Sequence, residues 1–389
     1  MEVWNRLYEQ LYDEAERRIH WQRVETLFAP IDFVRLRDTP QNPVFHGEGD
    51  VFAHTVMVCD ALIHMDRFHC LDVKKQAELL LAAVLHDIGK ARTTRWEDST
   101  WVSPYHASVG SKMVRSFLWK ECGLCGSLEA AQFRETVCML ICHHMLPVNL
   151  LRQPDPERTV RRTASVGEYA ADVSWEMLCM LAEADVKGRL ADDTEQCLER
   201  VELARLLAEE CGCLTGPYSF ANAASKHAYL SGRNVQPDQP LFDPCWGEVL
   251  LVCGLPGTGK DTWIRQNYPS LPMISLDEIR RETGAASTGE QGSVIRSAQE
   301  RAKELLRARQ PFVWNATNVT REIRQEQLGL FEKYGARVKV IWLETAWDTG
   351  LQRNAGRAEK VPPAAVEAML EKTVPPYPEE AHTVIWQYV

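Results

Sequence analysis

No stretch of this sequence is apolar enough to cross a membrane. The longest uninterrupted run, LLLAAVL at 79–85, falls far short of the ~20 residues a bilayer needs. The opening segment, MEVWNRLYEQLYDEAERR, is charged throughout and lacks the apolar core of a signal peptide. Low-complexity tracts and internal repeats are also missing. The expectation is a soluble cytoplasmic protein without a membrane partner. Paired CxxC knuckles are missing too: Cys122-Gly-Leu-Cys125 and Cys211-Gly-Cys213 do not have zinc-ribbon spacing, and the other cysteines of the twelve sit mostly in apolar helical contexts. Reduced thiols acting as small hydrophobes are expected. There is no basic excess. Net charge is −10, and residues 1–246 carry 26 basic against 36 acidic side chains, while 247–389 balance at 18 of each. This excludes a long groove that tracks a phosphate backbone, but not a site that grips only the end of a nucleic acid.

With 389 residues, the chain can build two cores. Residues 1–215 read as all helix, with apolar positions recurring every three or four residues in 77–85, 135–142, 175–186 and 197–208. Residues 216–246 are rich in Pro, Gly, Ser and Asn and read as a linker, free or packed on one domain. Residues 247–389 alternate buried strands (248–253, 272–276, 311–314 and 338–344) with helices. That pattern predicts an α/β domain with a parallel sheet.

The strand EVLLVC runs into Gly254-Leu-Pro-Gly257-Thr258-Gly259-Lys260-Asp261-Thr262. This is the G-x-x-x-x-G-K spacing of a phosphate-binding loop, in which backbone N–H groups and a helix N-terminus cradle phosphates and Lys260 reaches the β- and γ-phosphates. ATP or another nucleoside triphosphate, with Mg²⁺, is the expected cofactor. The residue after the lysine is usually Ser or Thr. Here it is Asp261, and the spacing does not say whether Asp261 or Thr262 faces the metal. Asp277, in SLDEIR after the second strand, stands where a base could take a proton from an attacking hydroxyl, although it could also cap the helix that follows. Arg353 and Arg357, four apart, are expected on one helix face, able to close over the phosphates.

These residues resemble the 5′-hydroxyl polynucleotide kinases of phage and bacterial RNA repair, over about 140 residues. The match rests on Gly254, Pro256, Gly257, Gly259, Lys260, Thr262 and Trp263, then Asp277 and Arg280, Thr317 and Asn318, and Arg353, Asn354 and Arg357. The resemblance implies that Asp277 is the general base, that Arg280 holds the acceptor end and that Arg353 and Arg357 belong to a lid. Asp261 departs from the family's serine.

The N-terminal half gathers ligand-type residues in separate helical segments. His54 lies in HGEGDVFAHT, where His46 also stands. His86 and Asp87 lie in HDIGK with Gly89 as an expected helix stop, His106 in PYHASVG, His144 beside His143 in ICHHMLP, and Asp185 in AEADVKGR. Asp185 shares a helix face with Leu178, Leu181 and Ala182. His54 shares one with Val51, Met57 and Val58. Charges placed on apolar faces require a partner, and a metal ion satisfies both. The order H…HD…D resembles the HD phosphohydrolases, over about 40–190. By that resemblance His54, His86, Asp87 and Asp185 hold a first metal, His106 and His144 serve a second metal or the phosphate, and Lys90 binds a phosphate oxygen. Imidazole with carboxylate suits one or two ions of Mn, Fe, Co, Ni or Zn. The implied chemistry is phosphoester hydrolysis by a metal-activated water.

The two domains in this order resemble the bacterial HD-Pnk end-healing enzymes. That resemblance implies RNA or DNA ends as substrates, removal of 2′,3′-cyclic or 2′-phosphates, phosphorylation of 5′-hydroxyls, and a separate ligase downstream. Two alternatives stand beside it. One is a nucleotide phosphohydrolase fused to a nucleoside or sugar kinase. The other is an NTP-gated regulator whose HD domain senses a nucleotide.

Overall fold

The computed structural model describes residues 2–168, 171–284, 292–357 and 359–389. The chain divides into two units: Met1–Leu124 with Glu129–Tyr218, and Cys125–Leu128 with Ser219–Val389. Among the described residues no helix is long and apolar enough to cross a membrane.

The first unit is helical. Helix α1 (Val51–Ile63) starts at Asp50, whose carboxylate accepts the Ala53 N–H, and α2 (Val73–Leu85) starts in the same way at Asp72. Every residue of α2 from Gln76 to Leu85 is buried, in keeping with a sequence that is apolar on all sides from Leu79 onward. Helices α3 (His106–Lys120), α4 (Leu128–His143) and α5 (Trp175–Lys187) complete the frame of the site. Arg115 of α3 and Glu135 of α4, both buried, form a fork with Nε 3.0 and 2.9 Å from the two carboxylate oxygens. Removing one member of such a pair costs about 3–5 kcal/mol, because it strands the other charge. The expectation of helix alone needs two small additions. Strands β1 (Tyr12–Asp13) and β2 (Arg18–Ile19) form one antiparallel pair, and β3 (Arg95–Glu97) and β4 (Thr100–Val102) form another.

The second unit begins earlier than the sequence pattern suggested. The segment read as a linker carries helix α6 (Ala223–Leu230), capped by Asn222, and Trp246 donates its indole N–H to the Tyr334 carbonyl at 2.9 Å. Beyond it, β5 (Glu248–Cys253), β6 (Met273–Ser275), β7 (Val313–Asn315), β8 (Arg337–Glu344) and β9 (Thr383–Tyr388) form one parallel sheet in the order β6-β7-β5-β8-β9. Strand β9 escaped the sequence reading because it is an edge strand: Thr383 and Gln387 interrupt its apolar residues, and only Val384 and Trp386 are buried. Leu250, Val252, Ile264, Val313, Ile341 and Leu343 form the core beneath the phosphate-binding loop. The fold is therefore an all-α domain followed by an α/β P-loop domain with a parallel sheet.

Candidate active sites

In the first unit, five elements deliver the predicted metal ligands to one point. His54 comes from the middle of α1 and Asp185 from α5. His86 and Asp87 follow the end of α2, His106 opens α3, and His144 follows α4. The ligand atoms of His54, His86 and Asp87 lie within 4.8 Å of one another, and so do those of Asp87, His106 and His144. Asp87 is common to both groups.

The orientation of each imidazole is fixed by its Nδ1. That atom lies 3.0 Å from the Gly188 carbonyl in His54, 2.8 Å from Ala83 O in His86, 2.9 Å from Ser103 O in His106 and 2.7 Å from Ile141 O in His144. A carbonyl only accepts, so each Nδ1 carries the proton and each Nε2 keeps a lone pair. Those lone pairs converge on acceptors. His54 Nε2 is 3.0 Å from Asp185 Oδ1 and 3.2 Å from His86 Nε2, and His106 Nε2 is 3.3 Å from Asp87 Oδ1. Asp87 Oδ1 and His106 Nε2 are buried without a hydrogen-bond partner. Acceptors facing acceptors in a buried site call for a cation between them, so the residues present fit a divalent metal. Electrostatics agree. Burial opposes a charge on His54, yet Asp185 and Glu48 raise its pKa to about 9, so a proton competes with a metal ion for its Nε2 and positive charge is favoured at this point. Burial would raise Asp87, but Lys90 and His86 hold its carboxyl well below the usual range. Burial, reinforced by His86, pushes His144 down to about 4.

Three features here went beyond the sequence reading. Glu48, buried between the histidines of HGEGDVFAH, sets its Oε1 2.8 Å from His46 Nδ1 and 3.1 Å from His54 Nδ1, while Oε2 accepts the Leu190 N–H at 2.9 Å. It is a carboxylate behind a ligand histidine, which raises that ligand's basicity. Its only sequence signal was its place between two histidines. Gly89 is not a left-handed helix stop. Its φ is −64°, and a Cβ there would lie 2.0 Å from the His106 carbonyl, so glycine is needed to let α3 bring His106 in. Lys90, expected to bind a phosphate oxygen, places Nζ 2.7 Å from Asp87 Oδ2 and donates to Gln41 Oε1 at 2.8 Å.

In the second unit β5 delivers the loop, and helix α7 (Lys260–Asn267) follows it. Gly254, Gly257 and Gly259 have positive φ. At Gly257 a Cβ would stand 2.1 Å from the Gly350 carbonyl, so no other residue fits. Lys260 donates to the carbonyls of Gly254 and Leu255, both at 2.9 Å, and burial lowers its pKa to about 8. The Thr258 hydroxyl is buried and donates to Leu255 O at 2.9 Å, which staples the loop from within. Thr262 is exposed, whereas Asp261 Oδ1 accepts from Asn315 Nδ2 at 2.6 Å. Of the two candidates for the metal, the structure turns Asp261 toward the sheet.

Helix α8 (Leu276–Thr283) is capped by Ser275 and not by Asp277, which leaves Asp277 free for other contacts. Asp277 pairs with Arg280 and accepts from Arg357 Nη2 at 2.9 Å. The shared helix face expected for the two lid arginines is not observed. Helix α9 (Trp347–Ala355) ends before Arg357, so Arg357 reaches Asp277 while Arg353 donates to the Val389 carbonyl at 3.4 Å. Asn354 fixes the turn between them, donating to Val361 O at 2.7 Å and accepting from Val361 N at 3.2 Å. Thr317 and Asn318 serve the loop from behind. Thr317 O accepts the Gly254 N–H at 2.9 Å, and Asn318 Nδ2 donates to Val252 O at 3.3 Å.

Family models agree with this geometry. One described as an HD domain matches residues 51–170, and one described as an AAA domain matches 249–376. The first unit carries an HD domain and the second a P-loop kinase-like domain. No curated protein matches the chain. Among solved structures, a candidate kinase from Chloroflexus aurantiacus J-10-fl shares 16% identity over 38% of this chain and 86% of its own, with a TM-score of 0.31. A gluconokinase from Sinorhizobium meliloti 1021 shares 16% over 38% and 83%, with a TM-score of 0.27. The metal-capable groups among the described residues contain no cysteine, and all twelve thiols are free.

Proposed function

We propose that this chain heals broken nucleic-acid ends. The HD centre removes 2′,3′-cyclic or 2′-phosphates, and the P-loop site phosphorylates 5′-hydroxyl ends for a separate ligase. The observation that carries the reading is the triad at the P-loop. Asp277 is held by Arg280 and Arg357, and with Asp261 it favours the charge of Lys260, which burial and Arg357 oppose. A carboxylate fixed beside the lysine that meets the γ-phosphate suits a base for an incoming hydroxyl. Arg280 would bind the acceptor end, and Arg353 with Arg357 would neutralise charge on the donor phosphates. Gly254, Gly257, Thr258, Gly259, Lys260, Asp261 and Thr262 form the nucleotide loop.

In the HD centre, His54, His86, Asp87 and Asp185 would hold one divalent transition ion, and His106 and His144, grouped with Asp87, would serve a second ion or the phosphate. When bound, such ions supply Lewis acidity and an ionised water at neutral pH. The chain's own part is to exclude bulk water, to fix every ligand tautomer through Nδ1, and to keep Lys90 on Asp87 until a phosphate oxygen competes for it.

The test is transfer of label from [γ-³²P]ATP to a 5′-hydroxyl oligonucleotide, run beside phosphate release from an oligonucleotide ending in a 2′,3′-cyclic phosphate. Both activities are expected. Activity on nucleosides, sugars or mononucleotides alone would replace this reading with a small-molecule one, which the acidic first half of the chain favours.

A further inference from the structure

Phosphate-binding loops commonly hold the nucleotide's Mg²⁺ with a hydroxyl on the residue after the loop lysine and a carboxylate at the end of a neighbouring strand. In this chain the loop hydroxyl is replaced, β7 ends on an amide, and the carboxylate that ends β8, Glu344, is buried and accepts the Trp342 indole N–H at 3.3 Å. The residue after Lys260 is Asp261, and the hydroxyl beyond it, Thr262, is exposed. Strand β7 pairs directly with β5, with Asn315 in register with Val252, and β7 ends on that amide. The two unusual residues are in contact: Asn315 Nδ2 donates to Asp261 Oδ1 at 2.6 Å. Asn315 is only 4% exposed, and its Oδ1 is buried without a hydrogen-bond partner.

We propose that the two metal-binding groups of this kinase site have exchanged places. Asp261 is the cation ligand, and Asn315 is the positioning residue that holds its carboxylate. The physical reason is charge conservation. A lone carboxylate beside a triphosphate is repelled unless a divalent cation lies between them. One carboxylate in the loop and a neutral amide on the strand give the same total charge as the usual hydroxyl and strand carboxylate. The amide also suits its place, since it donates to Asp261 Oδ1 where a second carboxylate would repel it. The remaining oxygens, Asp261 Oδ2 and Asn315 Oδ1, stay outside that bond. The inference rests on the second unit being a metal–nucleotide phosphotransferase.

The exchange can be reversed by mutation. In the full chain, the Kd of a non-hydrolysable ATP analogue is measured by calorimetry in Mg²⁺ and again in EDTA, and the ratio of the EDTA value to the Mg²⁺ value reports the metal's contribution. Asp261→Ser and the near-isosteric Asp261→Asn are expected to lower that ratio by at least about tenfold, without weakening binding in EDTA. Asp261→Ser combined with Asn315→Asp rebuilds the common arrangement and should restore it. Asn315→Ala should lower the ratio without changing binding in EDTA. The proposal is overturned if both single Asp261 variants keep the wild-type ratio, or if the double variant melts like wild type yet stays as metal-insensitive as Asp261→Ser. A wild-type chain that binds no nucleotide in either condition would instead overturn the kinase reading itself, and this proposal with it.

Discussion

The Nε2 atoms of His54 and His86 face each other at 3.2 Å, with both Nδ1 atoms against backbone carbonyls. Each Nδ1 proton is committed to a carbonyl, of Gly188 and of Ala83. Two buried lone pairs at that distance repel unless a positive charge, a proton or a metal ion, lies in reach. Asp87 and Asp185 supply the negative charge that a divalent ion needs.

Removing those carboxylates should therefore empty the centre. Asp87→Ala and Asp185→Ala are expected to lower bound transition metal in elemental analysis and to abolish phosphate release from 2′,3′-cyclic ends. Phosphorylation of 5′-hydroxyls in Mg²⁺ should continue, because the second unit has its own core. His106→Ala and His144→Ala should retain at least one ion while hydrolysis falls. Unchanged metal content in both aspartate variants would refute the centre.

Glu48 offers a subtler test. Glu48→Gln keeps the size and one acceptor oxygen but removes the charge behind His54. Metal affinity, read by competition with a chromogenic chelator, should fall about 10–100-fold. An unchanged affinity would reduce Glu48 to a structural tie between His46 and Leu190.

Asp277→Asn should lower phosphoryl transfer about 10²–10⁴-fold while ATP binding stays intact, since an amide cannot take the hydroxyl proton. The structure adds a control. Asp277 also anchors Arg357, so Arg357→Lys tests how much of the loss comes from releasing the arginine. Collapse of nucleotide affinity with normal turnover of bound ATP would remove Asp277 from the role of base.

Lys260 gives a pH signature. Burial depresses its pKa to about 8, so the free site loses its positive charge as pH rises through that value. ATP affinity should be flat below pH 7 and fall between about pH 8 and 10. Lys260→Ala should abolish phosphorylation at every pH and leave hydrolysis by the HD centre near wild type. A pH-independent affinity up to 10 would mean that the lysine stays charged.

Much of this molecule was legible in its sequence, for a local reason. The glycine spacing before Lys260 is dictated by backbone geometry over a few residues. Asp185 and His54 stood out because a charge on an apolar helix face violates ordinary patterning. Alternating strands and helices fixed the parallel sheet, although β9 was missed because this edge strand buries only Val384 and Trp386. Tertiary structure decided the rest, because it depends on groups far apart in the chain. The Nδ1 partners that set every tautomer are backbone carbonyls, which no side-chain pattern encodes. Gly89 is required by the approach of the His106 backbone and not by its own φ, so its neighbours could not reveal it. The separation of Arg353 from Arg357 follows from where α9 ends, against a spacing that put both on one face. Asp261 was visibly out of pattern from the start, but its partner Asn315 lies 54 positions away, and only the pairing of β5 with β7 brings the two side chains together.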